Sequence, residues 1–231
     1  MLEFKWGPLR LYMEQIFSSI YERGFWGSNM KSAYRGSSGS GSDPEYNRPY
    51  IEWLRELIRD RKIQSVVDLG CGDFRCGPLI YDGLNVAYTG LDVYRPLIES
   101  LGAEYPDYQF RHLDVFLNVQ EVPGGDLCIL KDVLQHWSNQ DITEFLESLI
   151  RSRKFRWILI CNCAQQKHVK NIKTGYHRQL AAAFRPLCLF NPTVLFHYET
   201  KEVSLIDCDA HARTVENRAL DHRQDSSSVR E

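Results

Sequence analysis

Along the middle of the chain, apolar residues gather into short, almost unbroken runs: SVVDL at 65–69, VAYTGL at 86–91, YQFRHL at 108–113, DLCILK at 126–131 and RWILIC at 156–161. Runs of this length, rich in β-branched residues and bounded by turn formers, read as buried strands. Between them the period changes: segments 95–104 and 140–151 place apolar residues three and four apart, the spacing of one helix face. Strands apolar on both faces and separated by helices indicate a parallel sheet covered on both sides. Two more strands are expected at 194–199 (VLFHYE) and 202–207 (EVSLID), separated by Thr200 and Lys201 alone. Two residues can join antiparallel neighbours but cannot make a parallel crossover. The pattern therefore predicts five parallel strands that end in an antiparallel hairpin.

Ahead of the first strand, residues 9–22 (LRLYMEQIFSSIYE) carry apolar positions at helical spacing, and a second amphipathic helix is expected at about 47–62 with Pro49 in its first turn. Between them lies GSNMKSAYRGSSGSGSDP, residues 27–44. Its composition is that of a linker; the glycines and the neighbouring Trp26 equally suit a lid. Beyond about Asp209 no apolar period remains, and a disordered tail is expected. The organisation read from this pattern is an N-terminal helix with a Gly/Ser-rich lid or linker (1–46), a main domain (47–208) and a tail (209–231).

A chain of 231 residues, 43% hydrophobic and 25% charged, fits a soluble globular domain. No apolar run approaches the ~20 residues that span a bilayer. Glu3, Lys5, Arg10 and Glu14 interrupt the N-terminus, so no secretory signal is read there. The seven cysteines show no Cys-x-x-Cys spacing, which speaks against zinc and for a reducing cytoplasm. The net charge of −2 conceals an asymmetry: between Ser148 and Tyr198 there are nine Lys and Arg and no Asp or Glu, so that segment carries +9 and the rest −11. Such a block is either a solvated face or a positive wall for an anionic acceptor or a nucleic acid.

Chemistry concentrates at the strand ends. VVDLGCG (66–72) runs a strand into a turn where Gly70 and Gly72 let backbone approach a ligand closely, with Cys71 between them. A dinucleotide site requires a third glycine three residues on, and Arg75 stands there instead. Asp68, two residues before the first glycine, would repel a pyrophosphate and favour a cationic ligand. Asp92 ends the second strand, followed by Val93, where an acidic residue accepts hydrogen bonds from ribose hydroxyls. Asp114 ends the third, followed by Val115. Three carboxylates thus line the edge of the sheet where open α/β folds bind ligands. The fourth strand ends in LKDVLQHW, bringing Lys131, Asp132 and His136.

These residues resemble the class I S-adenosylmethionine-dependent methyltransferases over roughly 47–207, through DLGCG at 68–72, LDV at 91–93, LDV at 113–115 and LKDVLQHW. The resemblance implies an α/β, Rossmann-like three-layer sandwich whose seven-stranded, mostly parallel sheet has an antiparallel final strand. It implies S-adenosyl-L-methionine as cofactor: Asp68, Gly70, Cys71 and Gly72 about the methionine moiety, Asp92 and Val93 at the ribose, Asp114 and Val115 at the adenine. Lys131 and Asp132 would sit beside the transferring methyl group. The chain is also similar to a group of bacterial and viral methyltransferases with a Trp-Gly, then Ser-Gly-rich opening and a later Thr-Gly-x-x-Arg-x-Leu stretch, here Trp26-Gly27, residues 37–42, and Thr174 to Leu180. Such families often accompany glycan enzymes. Where they continue Pro-Pro-Phe, this chain reads Ala181-Ala182-Ala183-Phe184.

A sugar hydroxyl is a poor nucleophile until its proton is removed, and a neutral imidazole is suited to take it. His136 is the candidate general base, with Asp132 four residues earlier to orient it; the alternative is a packing role at the start of the next helix. A magnesium-assisted reaction has weak support, because the end of strand five offers Cys161-Asn162-Cys163 and no second carboxylate. Trp26 is a candidate donor contact. Lys173, Tyr176 and Arg178, in a segment that also holds Lys167, His168, Lys170 and His177, are candidates for acceptor binding. Methylation of a small or glycan-type hydroxyl acceptor, with anionic character, is the favoured function. A nucleic-acid methyltransferase and a non-catalytic cofactor-binding subunit remain as alternatives.

Overall fold

The computed structural model describes residues 13–27, 37–165 and 170–211. Helix α1 (Met13–Glu22) buries Met13, Phe17 and Tyr21, spaced four apart so that they share one face. Helix α2 (Arg48–Asp60) carries Pro49 in its first turn and buries Tyr50, Ile51, Leu54 and Ile58. From there β1 (Ser65–Leu69), α3 (Gly77–Tyr81), β2 (Ala87–Asp92), α4 (Arg95–Glu104), β3 (Gln109–His112), β4 (Gly125–Lys131), α5 (Asn139–Arg151) and β5 (Phe155–Cys163) alternate. Strands β6 (Thr193–Tyr198) and β7 (Lys201–Asp207) close the sequence of elements.

The seven strands form one sheet in the order β3-β2-β1-β4-β5-β7-β6. Pairing is parallel from β3 to β5, and β7 runs antiparallel to both β5 and β6. The expected fold is therefore found: a seven-stranded, mostly parallel Rossmann-like sheet with its hairpin at one edge. Alternation along each strand divides the core. Val67, Leu69, Cys128, Leu130, Ile158 and Ile160 pack with α5 and α1 on one face. Val66, Leu127, Ile129, Trp157 and Leu159 pack with α2, α3 and α4 on the other. Strand order reverses direction between β1 and β4, which opens a crevice at the carboxyl ends of those strands.

Residues 1–12, 28–36 and 212–231 lie outside the described residues, and with them part of the expected first helix, of the Gly/Ser stretch and most of the expected tail. Lys167 and His168 fall outside as well. Among the described residues no helix is long and apolar enough to cross a membrane.

Candidate functional site

At the crevice the chain encloses a cavity of about 380 Å³. Its floor is the turn after β1. Gly70 (φ 77°) and Gly72 (φ 58°) adopt left-handed backbone, and a Cβ on Gly70 would lie 2.5 Å from a Val133 methyl carbon. Only glycine fits there.

The carboxylates predicted from the strand ends converge on this cavity. Asp92 accepts hydrogen bonds from the Gly72 and Tyr94 backbone N–H groups, both at 3.1 Å, one on each oxygen. A carboxylate has about four acceptor sites, so capacity remains on both oxygens. Asp114 is more heavily used: Phe116 and Leu117 donate to one oxygen and Glu14 of α1 to the other. Asp68 accepts from the Tyr88 hydroxyl at 3.1 Å. Burial pushes its carboxyl up to about 7, against the opposing pull of that hydrogen bond and of the Lys131 ammonium. Cys71, Val93 and Val115 complete this part of the lining.

Residues 37–43 cross the cavity as a strap. The Ser38 N–H donates to Asp73, the Asp73 N–H donates to the Ser38 hydroxyl at 2.8 Å, and the Ser42 hydroxyl donates to Asp73 at 3.0 Å. Lys131 Nζ donates to the Gly41 carbonyl at 2.6 Å. Asp73 was not foreseen, although its place directly after the glycine turn is a usable signal. Among the described residues, three buried polar atoms of the cavity lining have no protein partner: the Tyr50 hydroxyl, Asp73 Oδ1 and the Trp137 indole N–H. Buried polar groups are nearly always paired, so these three mark positions where a ligand's polar groups fit.

At the other end of the cavity stands a buried charge cluster. Asp132, in left-handed backbone (φ 61°), receives Lys131 Nζ at 2.8 Å on one oxygen and Lys201 Nζ, from the start of β7, on the other. Burial opposes ionisation of all three groups, yet their mutual attraction prevails: the Asp132 carboxyl is held below its ordinary range and both lysines above theirs. Lys201 also donates to the Cys163 sulfur at 3.1 Å.

This arrangement corrects the expectation that Asp132 orients His136: the partners of its carboxylate are the two lysines. The Tyr176 backbone carbonyl does so instead, 3.1 Å from His136 Nδ1. A carbonyl can only accept, so Nδ1 carries the proton and Nε2 presents a lone pair. His136 lines the cavity with its ring 5.4 Å from Trp26 and 5.4 Å from His177. Burial, followed by the influence of His177, lowers its pKa to about 4, so the ring is neutral at pH 7. Trp26 also lines the cavity and stacks on Phe17 of α1.

The acceptor candidates fare differently. Arg178 is only 7% exposed and donates to Asn139, the Lys170 carbonyl and the Trp137 carbonyl. It ties the segment after β5 to the start of α5 and does not line the cavity. Lys173 is exposed and Tyr176 is 66% exposed; neither side chain lines the cavity, and His177 does. The basic block disperses. Lys154 donates to the carbonyls of Val119, Gln120 and Val122, Arg156 stacks over Trp157, and Arg151 faces Glu147 along α5. With Arg178, four of the nine basic side chains are thus engaged within the protein.

No protein-family model matches the chain, and no curated protein does. Solved structures do. The methyltransferase domain of bacterial CtHen1 is 12% identical, with a TM-score of 0.53 over 70% of this chain and 99% of that one. Magnesium protoporphyrin IX methyltransferase (ChlM) from Synechocystis PCC 6803, solved with bound SAM, is 13% identical, with a TM-score of 0.55 over 86% and 98%. An O-methyltransferase family protein from Burkholderia thailandensis is 12% identical, with a TM-score of 0.52 over 69% of this chain and 55% of the other. The chain has the fold of the class I S-adenosylmethionine-dependent methyltransferases.

Proposed function

We propose that this protein is a methyltransferase that binds S-adenosyl-L-methionine in the cavity and methylates a hydroxyl of a sugar, glycan or other small acceptor. The donor set fits the ligand. Asp92 has acceptor capacity left on both oxygens for a ribose diol, Asp68 and the unpaired oxygen of Asp73 suit an ammonium, and Trp137 supplies a donor near Asp114 and Val115 for an adenine. Bound there, the cofactor supplies an electrophilic methyl group on a sulfonium. Residues 37–43 act as a cover over the donor, held by the Ser38–Asp73 and Lys131–Gly41 bonds. Free thiols at all seven cysteines accord with a reducing, cytoplasmic setting.

The chain's own residues then have separate tasks. The strap and Trp26 limit water, and Lys131 with Lys201 fixes the Asp132 turn. His136 takes the proton of the acceptor hydroxyl on Nε2 as attack proceeds, while the Tyr176 carbonyl holds the ring and stabilises the imidazolium that forms. The single observation that carries this reading is the His136 tautomer: the Nδ1 bond to Tyr176 leaves Nε2 as the acceptor in a cavity edged by strand-end carboxylates. A positioned base contributes ~10²–10⁴-fold, so His136→Gln should lose turnover by about that factor with an unchanged donor Kd. The test is labelled S-adenosylmethionine with fractionated glycan, nucleotide, RNA and protein acceptors, together with donor calorimetry on both proteins. Full turnover by the variant would remove the base role, and absence of donor binding would remove the function.

A further inference from the structure

A second cavity, of about 530 Å³, adjoins the first along the strap. Seven residues line both cavities: Trp26, Gly39, Ser40, Gly41, Arg75, Cys163 and Lys201. The strap thus borders both, and Arg75, Lys201 and Cys163 stand where the two spaces meet. Cavities of roughly 300–1,000 Å³ hold small molecules, so this one has room for a monosaccharide-sized ligand.

The two spaces differ in charge. The first is edged by five carboxylates, Asp68, Asp73, Asp92, Asp114 and Asp132, against three cations, Lys131, Lys201 and Arg75. The charged side chains of the second are Lys201, Arg75 and Asp43, the last two paired at 3.2 Å. Two ammonium groups share the single carboxylate of Asp132 at the junction. Lys201 is only 4% exposed and directs two of its three N–H groups to Asp132 and Cys163. A buried ammonium in excess over its counter-charge favours an anion. A cationic methyl donor in the first cavity adds to that excess. The remaining lining of the second cavity is suited to a polyhydroxylated body: the hydroxyls of Ser37, Ser40, Tyr46 and Thr200, and the Trp26 ring.

From this juxtaposition, and resting on the methyl-transfer reading above, we infer that the second cavity is the acceptor seat and takes a small hydroxylated anion, its oxyanion held by Lys201 and Arg75. The shared chemistry is an anionic oxygen group, phosphate or carboxylate, on a sugar-sized molecule. Lys201 also lines the first cavity together with His136 and His177, so one small molecule seated at the junction can present its anion to Lys201 and a hydroxyl to the imidazole.

The test is calorimetry of the full chain saturated with S-adenosylhomocysteine, titrated with glucose 6-phosphate, glucuronate and glucose. The phosphate and carboxylate arms identify which anion is preferred. At least one anionic probe should bind tenfold or more tighter than glucose. Arg75→Gln, on the half-exposed rim, should cut that preference several-fold, Lys201→Met should abolish it, and Lys201→Arg should restore part of it. Circular dichroism reports folding, and S-adenosylhomocysteine affinity reports the donor cavity separately. Equal binding of the three probes, or no binding by any of them, with the donor product still bound, overturns the acceptor assignment and leaves the methyltransferase reading standing. Loss of S-adenosylhomocysteine binding by the unmodified protein overturns both.

Discussion

His136 and Asp68 are two titratable groups of one cavity in which burial disfavours both charged forms and so shifts their pKa values in opposite directions. His136, lowered to about 4, stays neutral throughout the physiological range. At saturating donor its contribution to kcat should therefore be flat from pH 5 to 8; an acidic limb near 6.5 would show an ordinary, unburied imidazole instead. The same shift makes the folded state bind fewer protons than the unfolded one below pH 6.5. Its stability contribution is present above 6.5 and lost as pH falls toward 4. Asp68, raised to about 7, behaves oppositely: the neutral carboxyl favours folding, fully below its ordinary 3.8, and that advantage disappears as pH rises through 7. A cationic donor selects the ionised form. Donor affinity should rise from pH 6 to 8 with proton release near 7, seen as a binding heat that depends on the buffer's ionisation enthalpy. Affinity independent of pH, with no buffer dependence, would separate Asp68 from the donor.

At the scale of elements, the start of α5 shows how the site is supported from behind. Ser138 caps the helix by accepting from the Asp141 N–H, and its hydroxyl donates back to the Asp141 carboxylate at 2.8 Å. The Ser138 N–H also donates to Thr174 in the segment that carries His177. Ser138→Ala should cost about 1 kcal/mol in denaturant unfolding and lower kcat through the displaced segment; unchanged stability would show that solvent replaces the cap. The elements themselves were legible because strands buried on both faces must be continuously apolar, and the strand-end carboxylates followed from that. Helix α3, GPLIY, was not foreseen, since five residues cannot display a 3.6 period. Lys201 was missed for a different reason. Its partner Asp132 lies 69 residues away, and only the insertion of β7 between β5 and β6 brings the two together. Arg178 was legible as important but not as buried, because a guanidinium bound to backbone carbonyls has the same local sequence as one facing a ligand.

For the whole molecule, the sheet sorts charge across its open edge. Carboxylates gather at the ends of β1, β2 and β3, and ammonium groups at the ends of β4 and the start of β7. The overall charge of −2 and the basic run after Ser148 reveal neither grouping, because the sorting depends on strand order rather than on sequence order. The strap has a consequence for traffic through such a molecule. On the proposed reading, a strap pinned by Lys131 through the Gly41 carbonyl swings aside each time the spent donor departs, whereas the second cavity empties without it. Turnover should then follow a compulsory sequence: donor enters first, methylated product leaves first, and S-adenosylhomocysteine goes last. Product-inhibition kinetics would show S-adenosylhomocysteine competing with the donor alone; a random pattern would mean that the strap does not gate exit.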